Sequence, residues 1–211
     1  MNEDNLEYVW YASFGSNLCE ERFLCYIKGG RPPGSQKTET GCRDQSLPLQ
    51  IRSVQLDFPL YFSHHSDRWG GGVAFIGTTK SSVAGTLARM YLITKSQFAD
   101  VVKQENGGSV LEINFDHIVE KGSEVVQETR YGNILYAGKY DDYPIFTFTH
   151  FLDMDEKDFT VPSKSYLTML ISGYKEAYAM SDAQIAEYLV HKPGVESNYH
   201  TKELLQIIKD V

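Results

Sequence analysis

The chain has 211 residues, 42% of them hydrophobic and 23% charged, with a mean hydropathy of −0.34. That balance excludes a disordered, collagen-like or low-complexity chain and fits one generous globular domain, whose core needs no staple. Twenty Lys and Arg against 28 Asp and Glu give a net charge of −8, so neither nucleic acid nor an anionic membrane surface, both of which call for a basic stripe, is the expected partner.

Three cysteines, Cys19, Cys25 and Cys42, are an odd number without CxxC spacing. They point away from a disulfide framework or a zinc ribbon and toward a reducing compartment. The opening residues are acidic and lack a basic stretch followed by an apolar run, so no signal peptide is expected. No stretch approaches the roughly 18 apolar residues of a membrane span. The expected location is cytoplasmic.

Aromatic and β-branched residues over 6–12 predict a first strand, running into the turn Phe14-Gly15-Ser16-Asn17. Asn17 with Glu20 three residues later predicts a capping box, and a helix over 20–28 closed by Gly29 and Gly30. The Gly- and Pro-rich segment 29–50 reads as a surface flap. Strands are predicted over 54–62, 73–76 and 84–93. Thr94 with Gln97 then caps a helix that ends at Asn106-Gly107-Gly108. Further strands are predicted over 110–115, 124–128, 134–137 and 145–150. Ser163 opens a helix with Leu167, Leu170, Ile171 and Tyr174 on one face, Ser181 with Gln184 opens another that stops before Pro193, and 201–209 forms a third. Strands first and helices mostly later, without βαβ alternation, give an α+β fold around one sheet or small barrel.

Two places in this chain invite chemistry. At the first, the strand–turn–helix from Tyr11 to Asn17, a helix N-terminus would present unpaired N–H groups to an anion; Gly15 would admit a ligand close to the main chain, and Ser16 and Asn17 add side-chain donors. A capped helix after a tight turn accounts for the same tripeptide. The second is Glu105. It shares a helical face with Phe98, Val101 and Val102, so it points inward, and it lies in the last turn, where the helix dipole disfavours negative charge. Both effects raise a carboxyl pKa, as a general acid/base near neutral pH requires. A side chain that snorkels to water at a frayed helix end is the alternative.

Other clusters are less informative. His64 and His65 are adjacent and point opposite ways in an extended segment, with no further ligand at metal spacing. Gly70-Gly71-Gly72 lacks the Lys-Ser/Thr of a phosphate loop and predicts instead a close backbone approach before the strand at 73. The acidic run 153–158 lacks EF-hand spacing and reads as a solvated loop. No GxSxG elbow is present.

WYASFGSNL at 10–18 resembles the YxxYGSN opening of the γ-glutamylcyclotransferase-like family, also called AIG2-like or BtrG-like. The later pieces follow in similar order: LDF at 56–58, WGGGVAFIG at 69–77, AGTLARMYLI at 84–93, a helix ending in QEN, and PSKSYLTML at 162–170. The resemblance spans roughly residues 8–175, and its motifs are specific in combination more than singly. It implies a small mixed β-barrel or curled sheet with flanking helices around one polar pocket. Here that fold would form a single domain over 1–211, with the flap 29–50 and extra C-terminal helices from about 176 to 211.

By that resemblance the chain is an enzyme that cleaves γ-glutamyl amines or γ-glutamyl amino acids to 5-oxoproline and the free amine. Glu105 would be the catalytic acid/base. Tyr11, Phe14, Gly15, Ser16, Asn17 and Tyr166 would bind substrate, with no metal and no organic cofactor. Phe14 stands where the family has Tyr, losing a hydroxyl. Asn106 replaces a Gly and can still adopt the left-handed conformation. The glutathione-specific YGSL variant is absent, so glutathione is not the expected substrate. A small-molecule binding or regulatory protein, an acyltransferase using the same pocket, and an interaction domain recognised through the flap are the competing readings.

Overall fold

The computed structural model describes residues 7–32, 35 and 37–211. The first position of the strand expected over 6–12, and flap positions 33, 34 and 36, lie outside them. Eight strands and six helices are found among the described residues: β1 (Tyr8–Ser13), α1 (Glu20–Lys28), β2 (Gln50–Leu56), β3 (Leu60–Ser66), β4 (Gly71–Ile76), β5 (Thr86–Thr94), α2 (Lys95–Glu105), α3 (Phe115–Lys121), β6 (Ser123–Val125), β7 (Asn133–Tyr140), β8 (Tyr143–Thr149), α4 (Lys164–Ala177), α5 (Asp182–Val190) and α6 (Thr201–Lys209). Six strands form one sheet in the order β2-β5-β1-β8-β7-β6, and β3 pairs with β4 in a separate hairpin. All neighbours are antiparallel except β1 and β8, which run parallel through Trp10–Ile145 and Tyr11–Phe146. The fold is α+β with a curled mixed sheet.

β1 has apolar or aromatic residues at successive positions because both faces of the sheet are covered. Val9 and Tyr11 pack with Phe23, Ile27, Phe98, Val101 and Val102 of α1 and α2; Trp10 and Ala12 pack with Leu167, Leu170, Ile185 and Leu204 of α4, α5 and α6. α5 and α6 therefore share one core with β1, the β3–β4 hairpin and α4.

Capping residues mark several helix starts where the sequence places them. Thr94 closes a full capping box with Gln97, Ser181 another with Gln184, and Ser163 accepts from the Tyr166 N–H. Three local expectations are corrected. Asn17 does not cap α1: Ser16–Leu18 form a 3-10 turn, Cys19 takes the cap position without a side-chain bond, and Glu20 instead reaches Arg89 at 2.6 Å. Segment 110–115 forms no strand, and Asn114 caps α3 from within it. The run 54–62 divides at Asp57-Phe58-Pro59, since proline cannot donate to a ladder. Asn106 has φ −106°, and Gly107 and Gly108 take the positive φ angles in its place.

The glycine run does allow the expected close approach. A Cβ on Gly72 would lie 2.1 Å from the Thr160 carbonyl oxygen, and one on Gly71 2.7 Å from the Ser163 nitrogen. The segment before α4 thus lies flush against β4, with the Gly72 N–H donating to Val161 O at 2.8 Å. This contact sets where α4 begins and hence where Tyr166 points.

Candidate active site

β1 ends where the two apolar clusters meet, and there a cavity of about 610 Å³ opens. Tyr11, Tyr26 and Phe148 come from one cluster, while Phe14, Val73, Ala74 and Tyr166 come from the other. The turn Gly15-Ser16-Asn17, Glu105 at the end of α2, Arg22 on α1, and Arg68 and Trp69 from the hairpin complete much of the wall. All seven sequence-derived site residues, Tyr11, Phe14, Gly15, Ser16, Asn17, Glu105 and Tyr166, border this one space.

Glu105 is enclosed by protein but keeps part of its surface open to the cavity. Burial pushes its carboxyl pKa above the ordinary value of 4.5; the Tyr26 hydroxyl and the Arg22 charge pull it back in part, and Glu39 opposes them. The last turn of α2 is held by Asn106, whose side-chain nitrogen donates to Val102 O at 2.8 Å and Tyr131 O at 3.0 Å. Thr129 donates in turn to Asn106 Oδ1. This clamp fixes the carboxylate's helix to the 129–131 loop.

Tyr166 accepts the Ala74 N–H at 3.1 Å, which leaves its own proton free to donate. Burial raises its pKa and that of Tyr11, so both are protonated donors at neutral pH. A Cβ on Gly15 would stand 3.3 Å from the Tyr166 hydroxyl, so the glycine lets the turn and the phenol lie side by side. Phe14 contributes an apolar wall where a tyrosine would have added a hydroxyl. The flap contributes Lys37, and Glu39 ties it down through Arg68 at 2.8 Å and Lys37 at 3.4 Å.

No protein-family model matches the chain. Two solved structures resemble it over nearly their full length. One is a γ-glutamyl cyclotransferase (TM-score 0.53, 17% identity, 97% of this chain and 100% of that one). The other is an uncharacterised human protein (TM-score 0.52, 20% identity, 96% and 99%). This chain has the γ-glutamyl cyclotransferase fold. Among curated proteins, histone deacetylase 5 of Arabidopsis thaliana is 38% identical over 205 residues, covering 88% of this chain. The chain spans only about a third, 31%, of that plant protein's length.

In this cyclotransferase fold the cavity also holds side chains that the sequence motifs do not single out, among them Arg22, Tyr26, Trp69 and Tyr131. Arg22 is the most consequential. It is 2% exposed, lies in the cavity wall, and has no carboxylate partner among the described residues. A signal for it exists in the sequence. Arg22, Phe23, Tyr26 and Ile27 form the buried stripe of α1, so the helical spacing that turns Glu105 inward turns Arg22 inward as well. Tyr131 donates to Ala74 O at 3.2 Å, so the two tyrosines hold the successive peptide units on either side of the Ala74 Cα.

Among the described residues no group of three or more His, Cys, Asp or Glu is placed to hold a metal. No helix there is long and apolar enough to cross a membrane.

Proposed function

We propose that the chain cleaves γ-glutamyl amides, of amines or of amino acids, to 5-oxoproline and the free amine. The observation that carries this reading is a carboxyl of raised pKa, Glu105, sharing one cavity with the Gly15-to-Asn17 turn and the free phenolic proton of Tyr166. In this reading Glu105 takes a proton from the substrate's α-ammonium, and the freed amine attacks the side-chain carbonyl. Tyr166 donates to the oxygen as negative charge collects on it. The attack forms the ring C–N bond. Glu105 then protonates the leaving nitrogen, and the amide C–N bond breaks. The second proton of the ring nitrogen passes through the Glu105 carboxylate to the freed amine, which leaves as an ammonium. Atoms and protons balance without water, and one carboxyl serves every proton transfer. Attack within one molecule supplies the proximity that a two-molecule reaction would lack. A carboxyl with a raised pKa suits the double role better than one at the ordinary value, because it both accepts and returns a proton near neutral pH.

The test is 5-oxoproline release from a panel of γ-glutamyl amines and dipeptides by wild type and Glu105→Gln. The expected result is turnover in wild type and its loss, by at least about 100-fold, in a folded variant. An acetyl-lysine peptide, chosen for the plant relative's name, serves as control because it cannot cyclise. Acetate release from that peptide with no 5-oxoproline from the panel would overturn the reading, as would undiminished turnover by Glu105→Gln.

A further inference from the structure

We propose that Arg22 grips the α-carboxylate of the substrate, making it the residue that selects γ-glutamyl groups over other amides able to close the same ring. The inference rests on the reading above and names the contact by which the cavity recognises its substrate. Three observations support it. The guanidinium is buried at 2% exposure, yet its Nε and Nη1 have no hydrogen-bond partner among the described residues. Its carbon sits 5.2 Å from the centroid of the Trp69 ring, so an aromatic face holds the fork in place without using its in-plane donors. Arg68, by contrast, has its charge met by Glu39 at 2.8 Å, and Arg89 by Glu20 and Glu176.

A buried guanidinium left without a carboxylate is costly, and it is retained where a ligand supplies the missing charge. A carboxylate fits a guanidinium through two parallel hydrogen bonds, here one to Nη2 and the other to Nε or Nη1. The cavity offers the complementary half as well. Asn17, 3% exposed, leaves Oδ1 without a donor, and Glu105 stands in the same wall. Orphaned donors on Arg22 and an orphaned acceptor on Asn17 together suit a carboxylate and an ammonium on one carbon. That is the head of an α-amino acid. With the carboxylate on Arg22, the ammonium is brought toward Glu105, so the same contact that selects the substrate orients the nucleophile.

The experiment compares γ-glutamyl-alanine with 4-aminobutanoyl-alanine, which has the same amine, carbonyl and leaving group but no α-carboxylate. For the whole chain, wild type should prefer the γ-glutamyl substrate by about 100-fold or more in kcat/KM, as a site built around a polar group rejects a ligand lacking it. In Arg22→Met the preference should fall below about tenfold, chiefly through KM on the γ-glutamyl substrate. Arg22→Lys, which keeps the charge and loses the fork, should fall between them and carries the test if the Met variant does not fold. A preference unchanged in both variants overturns the assignment.

Titration of 5-oxoproline against 2-pyrrolidinone by NMR reads the same contact without turnover. If neither amide is cleaved by wild type, the cyclotransferase reading fails and this titration alone judges Arg22. Binding of 5-oxoproline that is lost in Arg22→Met upholds the contact; equal binding in both, or none in wild type, overturns it.

Discussion

Gly173→Ala sets a local preference against a long-range contact. Gly173 lies within α4, where an alanine in free helix would gain about 1 kcal/mol. Here its Cβ would lie 2.4 Å from Leu18 Cβ and 3.1 Å from the Cys19 nitrogen. Leu18 is fully buried and ends the 3-10 turn that carries Ser16 and Asn17. The opposing atoms are a Cβ and main chain, so no rotamer relieves the overlap and its cost falls at the upper end of the usual 1–3 kcal/mol for overpacking, roughly. The expected net effect is a loss of about 2 kcal/mol, which at about 2–4 °C per kcal/mol lowers Tm by about 4–8 °C. Part of the strain should push the turn away from α4, and kcat/KM for 5-oxoproline release should fall with it. Urea denaturation, with the m-value checked for constancy, measures the first effect. A Tm that rises by a few degrees with full activity would refute the reasoning, since propensity alone would then govern this position.

Glu105→Gln should be more stable than wild type near neutral pH. A carboxyl whose folded pKa is raised favours the native state while protonated, and that contribution is lost as pH rises through the raised value. The advantage of the variant should therefore shrink as pH falls toward the ordinary value of 4.5, and a pH-independent difference would exclude burial as the cause. His150, pushed down to about 4 mainly by burial with help from Lys157 and His64, stacks on His64 at 4.6 Å, where His64 has a positive φ at the bulge in β3. The unfolded chain takes up the proton first, so stability should fall as pH drops from about 6.5 to about 4, and His150→Phe should flatten that slope in denaturant titrations. Thr149 Oγ1 both donates to Ile76 O at 2.7 Å and accepts from Ile76 N at 3.2 Å, joining the hairpin to the main sheet. Thr149→Val should cost about 1–3 kcal/mol for each Ile76 group left unpaired, and an equilibrium loss below about 1 kcal/mol would show that they find other partners.

Segment 110–115 shows how far periodicity carries. Its alternation places Leu111, Ile113 and Phe115 against the core beneath the sheet, as a strand would, yet no ladder forms. Alternation reports burial; pairing depends on a neighbouring strand edge that lies elsewhere in the chain. The Asn17–Glu20 pattern misleads for a related reason. Ser16–Leu18 close as a 3-10 turn, which moves the cap position on to Cys19, and Glu20 is drawn to Arg89 rather than back to the turn.

The chain's own order of residues determined what three or four neighbouring positions can settle: the caps at Thr94, Ser163 and Ser181, the stop after Lys28, and the inward phase of Glu105. Motif resemblance added the partners of that carboxylate around the Gly15 turn and at Tyr166. Only the tertiary structure decided that Arg22, Trp69 and Tyr131 face the same cavity, because its walls come from α1, the hairpin, the end of α2, the 129–131 loop and α4. Local spacing fixes the direction in which a side chain leaves its own helix or strand. What it meets there depends on how distant segments bury their apolar faces against one another.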